Sequence, residues 1–344
     1  MTQLPLHRAV SAAALVAAGV LGAMPALAQG KSPTLDAVRA KGELACGVIG
    51  SSFGFSLPDS KGVMQGIDAD GCRAVAAATL GDASKVRYVP LQASQRLSAL
   101  QSGEVDVLYA QLTWTLTRET DSGVQMAAVN YFDGTGFMVP KELGVESAAD
   151  LDGASVCTLQ GPGEVTMRDY FGFLGKDYTP VLFSEGAEAR KAFLAGRCDA
   201  YMIDQSFLIS FHNSLGADKD KFMVLPETIS NEPLTGAVRK GDPAWFDIVR
   251  YAHIAMVNAE EHGITSANVG SFGAEASPAV KRILGLDGKL GESLGLDPEW
   301  AKRIIAQVGN YAEVWDRSFG ATGADRSQNN LPKNGGLQVP YPMR

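Results

Sequence analysis

Residues 105–119 read VDVLYAQLTWTLTRE, a short apolar run that ends in Thr113, Thr115 and Arg118. Hydroxyl donors beside a guanidinium fork suit a carboxylate, which the fork grips through two parallel hydrogen bonds. Two other places carry complementary chemistry. Residues 160–164, Gln-Gly-Pro-Gly-Glu, stand between an apolar run and a helical pattern. Free backbone N–H groups at a helix N-terminus attract an anion, so Gly161 can face a ligand there. Thr166 occupies the place of a third glycine, so this is neither a dinucleotide fingerprint nor a phosphate loop. Asp204 closes another apolar run, where its carboxylate can pair with an ammonium group or cap the helix that follows. An Arg/Thr grip opposite an aspartate matches the two constant groups of an α-amino acid.

Gly50-Ser51-Ser52-Phe53-Gly54 has the spacing of a nucleophile elbow. That motif requires a helix directly after it, and residues 56–62 instead carry turn residues. The loop reads better as a ligand wall, with Phe53 or Phe55 as apolar surface.

The elements that position these residues alternate in type. Strands are expected over residues 43–49, 86–89 and 105–109, with helices over 67–80 and 94–101, the second capped by Ser94. Such a β-α-β-α-β order implies a parallel sheet covered on both faces. A second set follows, with strands over 154–159, 180–183 and 199–203 and helices over 165–174, 187–195 and 207–215. Residues 129–139 and 222–234 read as extended segments that join the two sets. A helix then starts at Asp242-Pro243, with Ile248, Ala252, Ala255, Met256 and Ala259 on one face. One more begins at Asp297-Pro298 and buries Trp300, Ile304, Val308, Tyr311 and Trp315 as core. Residues 320–336 form a polar tail segment.

Composition narrows the partners. The 344 residues carry 30 basic and 38 acidic side chains, a net charge of −8, and no basic cluster. An acidic surface argues against nucleic acid and anionic membranes. Arg8, an Ala-rich apolar run over residues 9–24 and the small-x-small triplet Ala26-Leu27-Ala28 read as a signal peptide cleaved after Ala28. The mature chain is then exported and soluble. Export makes disulfides the default for Cys46, Cys72, Cys157 and Cys198, and four cysteines allow three connectivities. Without a C-x2-C pair, and with His212, His253 and His262 remote from any cysteine, neither a metal site nor a cofactor is expected.

The strings TLDAVRAKGELACGV, ALQSGEVDVL, TWTLTRE, YFDGTGFMVPKELGV, AGRCDAYMID, WFDIVRYAHIAMVNAEEHGITSANV, AKRIIAQVGNY and NGGLQ span most of the mature chain. In them the chain resembles the periplasmic binding proteins of polar amino-acid ABC transporters, the general L-amino acid-binding type. That resemblance implies a two-lobed, type II-like α/β fold, each lobe a mostly parallel sheet flanked by helices, joined by two hinge strands. Together with the nested second set, it places residues 29–132 and 233–344 in one lobe and 133–232 in the other. The disulfides are then expected as Cys46–Cys72 and Cys157–Cys198, one in each lobe. By the resemblance, Thr113 and Arg118 match the carboxylate grip, Asp204 the amine site, and Gly161 the second-lobe loop. Tyr109, Ala110, Gln111 and Leu112 replace the usual Ser-Arg-Asn-Thr, and Phe207 stands near Asp204 where small residues are usual. Tyr109, Gln111 and Phe207, with Phe53 and Phe55, are therefore expected to shape a rebuilt side-chain pocket. The implied partners are an amino acid or analogue and a membrane permease, with the protein a monomer in the periplasm. Cyclohexadienyl dehydratases share this fold with a catalytic acid in the cleft. Glu164 is the residue available for that role, but no acid/base partner stands beside it, and first-turn acids favour helix N-termini anyway.

Overall fold

The computed structural model describes residues 1–2, 32–320 and 326–344. The signal peptide expected over residues 1–28 lies, apart from its first two residues, outside the described residues. Ser32 caps helix α1 (Pro33–Lys41) by accepting from Leu35 N, and the chain then enters strand β1 (Leu44–Val48), buried at every position. A small ribbon, β2 (Leu57–Pro58) with β3 (Met64–Gln65), leads into helix α2 (Ile67–Leu80). Helix α2 has Asp68 and Asp70 in its first turn, where acids favour the dipole, and an Ala-rich body. Strand β4 (Val86–Pro90), helix α3 (Arg96–Ser102), strand β5 (Val107–Thr113), helix α4 (Leu116–Asp121) and strand β6 (Val124–Asp133) follow. Ser94 is not the cap expected of it. Helix α3 starts two residues later, after Gln95, without a side-chain cap.

One residue, Gly134, separates β6 from β7 (Thr135–Pro140), which lies in a second sheet. Strand β8 (Ser155–Leu159), helix α5 (Pro162–Leu174), strand β9 (Thr179–Phe183), helix α6 (Gly186–Leu194), strand β10 (Ala200–Asp204), helix α7 (Gln205–Ser214) and strand β11 (Phe222–Val224) build that unit. Strand β12 (Glu232–Arg239) brings the chain back to the first sheet. The sheets run β4-β1-β5-β12-β6 and β11-β7-β10-β8-β9. This is a two-lobed α/β fold. The sheets are mixed rather than mostly parallel: β12 is antiparallel to β5 and β6, and β7 is antiparallel to β10 and β11. The strands that carry the chain between sheets cause this, since the outgoing and returning paths run in opposite directions.

Helix α8 (Pro243–Glu261) opens as expected, with Asp242 accepting from Trp245 N and Pro243 in the first turn, and its apolar face is buried. Short helices α9 (Pro278–Ile283) and α10 (Leu290–Ser293) lead to α11 (Trp300–Gln307) and α12 (Tyr311–Ser318). The single helix expected from Pro298 onward is these last two. Gly309 adopts a φ of 96°, and Asn310 with Glu313 forms a capping box that starts the second. The five residues of the expected apolar stripe are all buried in the first lobe's core. The described part of the tail segment is docked. Asn329 accepts from Phe132 N at 2.7 Å and donates to Phe132 O at 3.0 Å, so it borders the end of β6. Gln338 donates to Val129 O on the same strand.

The cysteines pair as Cys46–Cys72 and Cys157–Cys198, with Cα separations of 6.0 and 5.7 Å. The first bridge ties β1 to α2; the second ties β8 to the turn before β10.

His253 of α8 is buried, its Nε2 3.0 Å from Gln338 Oε1 and its ring edge-on to Tyr311. Burial pushes its pKa from 6.5 down to about 4. The folded protein therefore binds fewer protons than the unfolded chain between those values. The stabilisation is full above pH 6.5 and is lost as pH falls toward 4. Asp68 and Asp133, raised to about 6, act in the opposite sense, but they are common to wild type and variant. We expect the stability deficit of His253→Gln in urea unfolding to narrow by a few kcal/mol between pH 7.5 and pH 4.5, at about 1.4 kcal/mol per unit. A constant deficit would mean that His253 titrates normally.

Candidate functional site

Strands β1, β4 and β5 are parallel, so their C-terminal ends share one edge of the first sheet. The 50–56 loop, the start of α3 and the start of α4 all open there. Strands β8, β9 and β10 are likewise parallel and lead at their C-terminal ends to Gly161, Glu185 and Asp204, each at the N-cap of the next helix. Ligands in such sheets sit outside the strand carboxyl ends. Here two such edges face each other. Gln111 Nε2 donates to Ser206 Oγ at 3.4 Å, and the charges of Arg96 and Arg118 on one edge act on Asp204 on the other.

Strand β5 runs on to Thr113, four residues beyond the expected end, so Tyr109, Gln111 and Thr113 are strand residues. Thr115 caps α4 by accepting from Arg118 N, which puts Arg118 on that helix instead of a loop. Arg118 Nη1 donates to Thr113 O at 2.8 Å, aligning the guanidinium with the strand end. Burial lowers the pKa of Arg118, while Asp204 and Glu232 oppose that shift.

The end of β5 is distorted. Thr113 and Leu112 pair with Leu234 and Thr235, and pairing resumes only at Leu108 with Ala237. Residues 109–111 bulge opposite Gly236, and Gln111 takes a φ of 48°. A left-handed glutamine costs free energy and persists when its surroundings hold it. Gln111 N donates to Asp68 Oδ2 at 3.1 Å, and Asp68 Oδ1 accepts from Asn130 at 2.8 Å. Burial raises the Asp68 pKa to about 6.

The bulge turns Tyr109 the other way. Its ring fills the space left by the missing side chains of Gly71 and Gly236, where a Cβ would lie 2.7 and 2.6 Å from it. Tyr109 is a core residue of the first lobe, not a pocket wall. Phe55 is corrected in the same way. It is fully buried, edge-on to Tyr131 and Phe319 at 5.0 and 5.3 Å, and offers no open surface. Phe53 in the same loop is half-buried. Turns follow this loop rather than a helix, so no nucleophile elbow exists.

On the second edge, α5 starts at Pro162, three residues before its expected start. Gly163 and Glu164 thus lie in its first turn, and Gly161, at φ 91°, is its exposed N-cap. Helix α7 follows β10 without a gap, so Phe207 lies in its first turn, half-buried. Asp204 occupies the N-cap position but makes no capping bond. Burial, Asp133 and Glu232 push its pKa well above the carboxylate range, against the pull of Arg118 and Arg96.

Two charged residues here escaped the sequence reading. Arg96 is half-buried at the first residue of α3, and burial lowers its pKa to about 10. A cation in a helix's first turn opposes the dipole, and that local violation was its signal. Asp133 ends β6 and accepts from Ser206 Oγ, Ser206 N and Gly134 N. Nothing local distinguishes it from any aspartate before a glycine.

Six buried side-chain polar atoms lack a hydrogen-bond partner among the described residues, and three of them are Ser52 Oγ, Arg96 Nε and Gln111 Oε1. All three lie on the first sheet's C-terminal edge. Buried polar groups are nearly always bonded. The arrangement can receive a small molecule with an anionic end toward Arg118, a cationic end toward Asp204 and polar atoms between.

Comparison with known proteins agrees with this geometry. The model of the bacterial extracellular solute-binding proteins, family 3, matches residues 44–263. The glutamate/glutamine/aspartate/asparagine-binding protein BztA of Rhodobacter capsulatus is 46% identical, covering 94% of this chain and 97% of its own. The general L-amino acid-binding periplasmic protein AapJ of Rhizobium johnstonii is 44% identical over 98% and 99% of the two chains. A solved ABC transporter periplasmic binding protein from Brucella ovis, with glutathione bound, superposes with a TM-score of 0.87 at 45% identity, covering 91% of this chain and 100% of that one. By sequence and by fold, the chain belongs to the bacterial extracellular solute-binding proteins, family 3.

Proposed function

We propose that the mature protein is a periplasmic receptor that binds an amino acid or an amino-acid-like molecule and delivers it to the permease of an ABC transporter, without chemical turnover. The observation that carries this reading is the set of charged and polar groups left without hydrogen-bonded partners where the two strand edges meet. Arg118 and Thr113 hold the ligand carboxylate and Asp204 its ammonium. Gly161 adds backbone contacts from the second lobe, and Gln111, Phe53 and Phe207 surround the remainder. Residues 29–132 with 233–344 form one lobe and 133–232 the other. They close about β6–β7 and the return to β12, as hinged binding proteins do. The relatives' names support the ligand class, and the glutathione on the Brucella ovis protein, whose γ-glutamyl end carries a free α-amine and α-carboxylate, extends it beyond single amino acids. The protein acts as a monomer.

Titration calorimetry on protein unfolded, freed of ligand and refolded tests the reading. One or more amino acids or glutathione should bind with 1:1 stoichiometry, and small-angle scattering should show a more compact particle at saturation. Identical scattering with and without ligand would count against closure. Conversion of arogenate or prephenate by the purified protein would sink the receptor reading in favour of a dehydratase.

A further inference from the structure

Helix α7 takes its cap from another strand. Asp204 stands at its N-cap, where an aspartate ordinarily accepts from the N–H two or three residues on. Asp242 does so at the head of α8, accepting from Trp245 N at 2.9 Å. Asp204 makes no such bond. The N–H two residues after it, that of Ser206, donates instead to Asp133 Oδ1 at 3.3 Å, and the Ser206 hydroxyl donates to Asp133 Oδ2. The N–H of Gln205 donates to Gly134 O at 2.8 Å. The last residue of β6 and the single residue before β7 thus supply acceptors that the first turn of α7 needs. Asp133 occupies the donor that Asp204 would otherwise take.

The placement is unfavourable by charge alone. Asp133 lies directly opposite Glu232 in the β6–β12 pair, and its charge also acts on Asp204. Like charges opposite each other in a sheet are destabilising. Three donors, Ser206 N, Ser206 Oγ and Gly134 N, converge on Asp133 and offset that repulsion. An Asp204 carboxylate bonded to Ser206 N would fold back over its own helix. With that N–H already taken, the carboxylate is left for another partner.

We infer that Asp133 is a positioning residue for the ligand: it caps α7 from the neighbouring strand and so keeps the Asp204 carboxylate free for the ligand ammonium. This rests on the proposed binding function and adds to it a residue that acts through Asp204.

Calorimetry of the refolded mature protein against the protein amino acids and glutathione identifies the tightest binder, which then serves as the probe. Asp133→Ala should bind it about five- to thirty-fold more weakly, because Asp204 then caps α7 and the ligand must break that bond. Asp133→Asn should stay within about three-fold of wild type, since its amide oxygen still accepts from Ser206 N and asparagine caps about as well as aspartate. In an Asp204→Ala background, Asp133→Ala should change affinity little further, whereas a purely structural role predicts the same loss in both backgrounds. A crystal structure of ligand-free Asp133→Ala should show the Asp204 carboxylate bonded to Ser206 N. Wild-type affinity in Asp133→Ala overturns the inference, and so does an Asp204 that stays in place in that structure. Asp133→Asn as weak as Asp133→Ala also overturns it, because Asp133 then acts through its charge. Circular dichroism and ligand-free melting check folding. Should Asp133→Ala not fold, Asp133→Asn decides: near wild-type affinity upholds the inference, and a loss of about five-fold or more overturns it. If wild type binds the probe while an overturning result holds, the receptor function stands and only the role of Asp133 falls. If wild type binds no amino acid and no glutathione, both fall.

Discussion

Arg118→Ala and Asp204→Ala should each weaken ligand binding by about thirty- to several-thousand-fold, the equivalent of about 2–5 kcal/mol, and leave the fold intact. Asp204 ends β10 and Arg118 lies in the helix that follows β5, and the two act on each other across the space between the edges. Removing either leaves one end of a zwitterion desolvated and unpaired, which costs more than the lost contact alone. Asp204 allows a sharper version. Its pKa is raised well above the carboxylate range in the ligand-free protein. A raised folded-state pKa contributes stability at low pH that is lost as pH rises, so a carboxyl buried here costs stability near neutral pH relative to a neutral amide of the same shape. Asp204→Asn should therefore melt at a higher temperature than wild type at pH 7 without ligand, yet bind ligand far more weakly. Opposite signs in stability and affinity mark a residue kept for function. Calorimetry and differential scanning calorimetry read the two effects. Wild-type affinity in both alanine variants would mean that the site lies elsewhere.

Replacing both cysteines of either bridge with alanine should destabilise its lobe by about 3–4 kcal/mol. The bridges span 26 and 41 residues, and in the chain-entropy model the longer loop gives slightly the larger effect, about 4 against about 3.5 kcal/mol. Each bridge joins elements of a single sheet unit, Cys46 of β1 to Cys72 of α2 and Cys157 of β8 to Cys198 before β10. Neither restrains the two sheets relative to each other. Both double variants should therefore bind ligand with near wild-type affinity at temperatures where they remain folded. Chemical unfolding with and without ligand checks this. A variant that keeps its stability but loses binding would mean that the bridge positions the site. Peptide mapping under non-reducing conditions should recover the two within-sheet pairs and no others.

Much of the secondary structure was legible locally. Helix α2 forms over residues 67–80, as its Ala-rich pattern implied, and α8 starts at the Asp242 cap and Pro243. Caps and periodicities act over a few residues, so the sequence displays them directly. The two proposed anchors, Arg118 and Asp204, were also visible, because Asp204 closes an apolar run and Arg118 stands just beyond another. Boundaries failed where a distant partner decides them. Strand β5 continues to Thr113 because β12, more than a hundred residues later, pairs with its end. The bulge opposite Gly236 then sends Tyr109 into the core and turns Gln111 toward Ser206. Phe55 reads as a loop aromatic until Tyr131 and Phe319 enclose it.

The sequence by itself determined the alternation of strands and helices, the acidic net charge and the chemistry of the two proposed anchors. Local propensity, charge and side-chain type need no partner to be expressed. Tertiary structure alone decided that Arg96 and Asp133 stand near the facing strand edges, that both sheets are mixed, and that Asn329 of the polar tail borders the end of β6. Those outcomes depend on register and on burial between segments far apart in the chain. A one-residue change in strand pairing reverses which face a side chain occupies, and that pairing is set only when the whole chain folds.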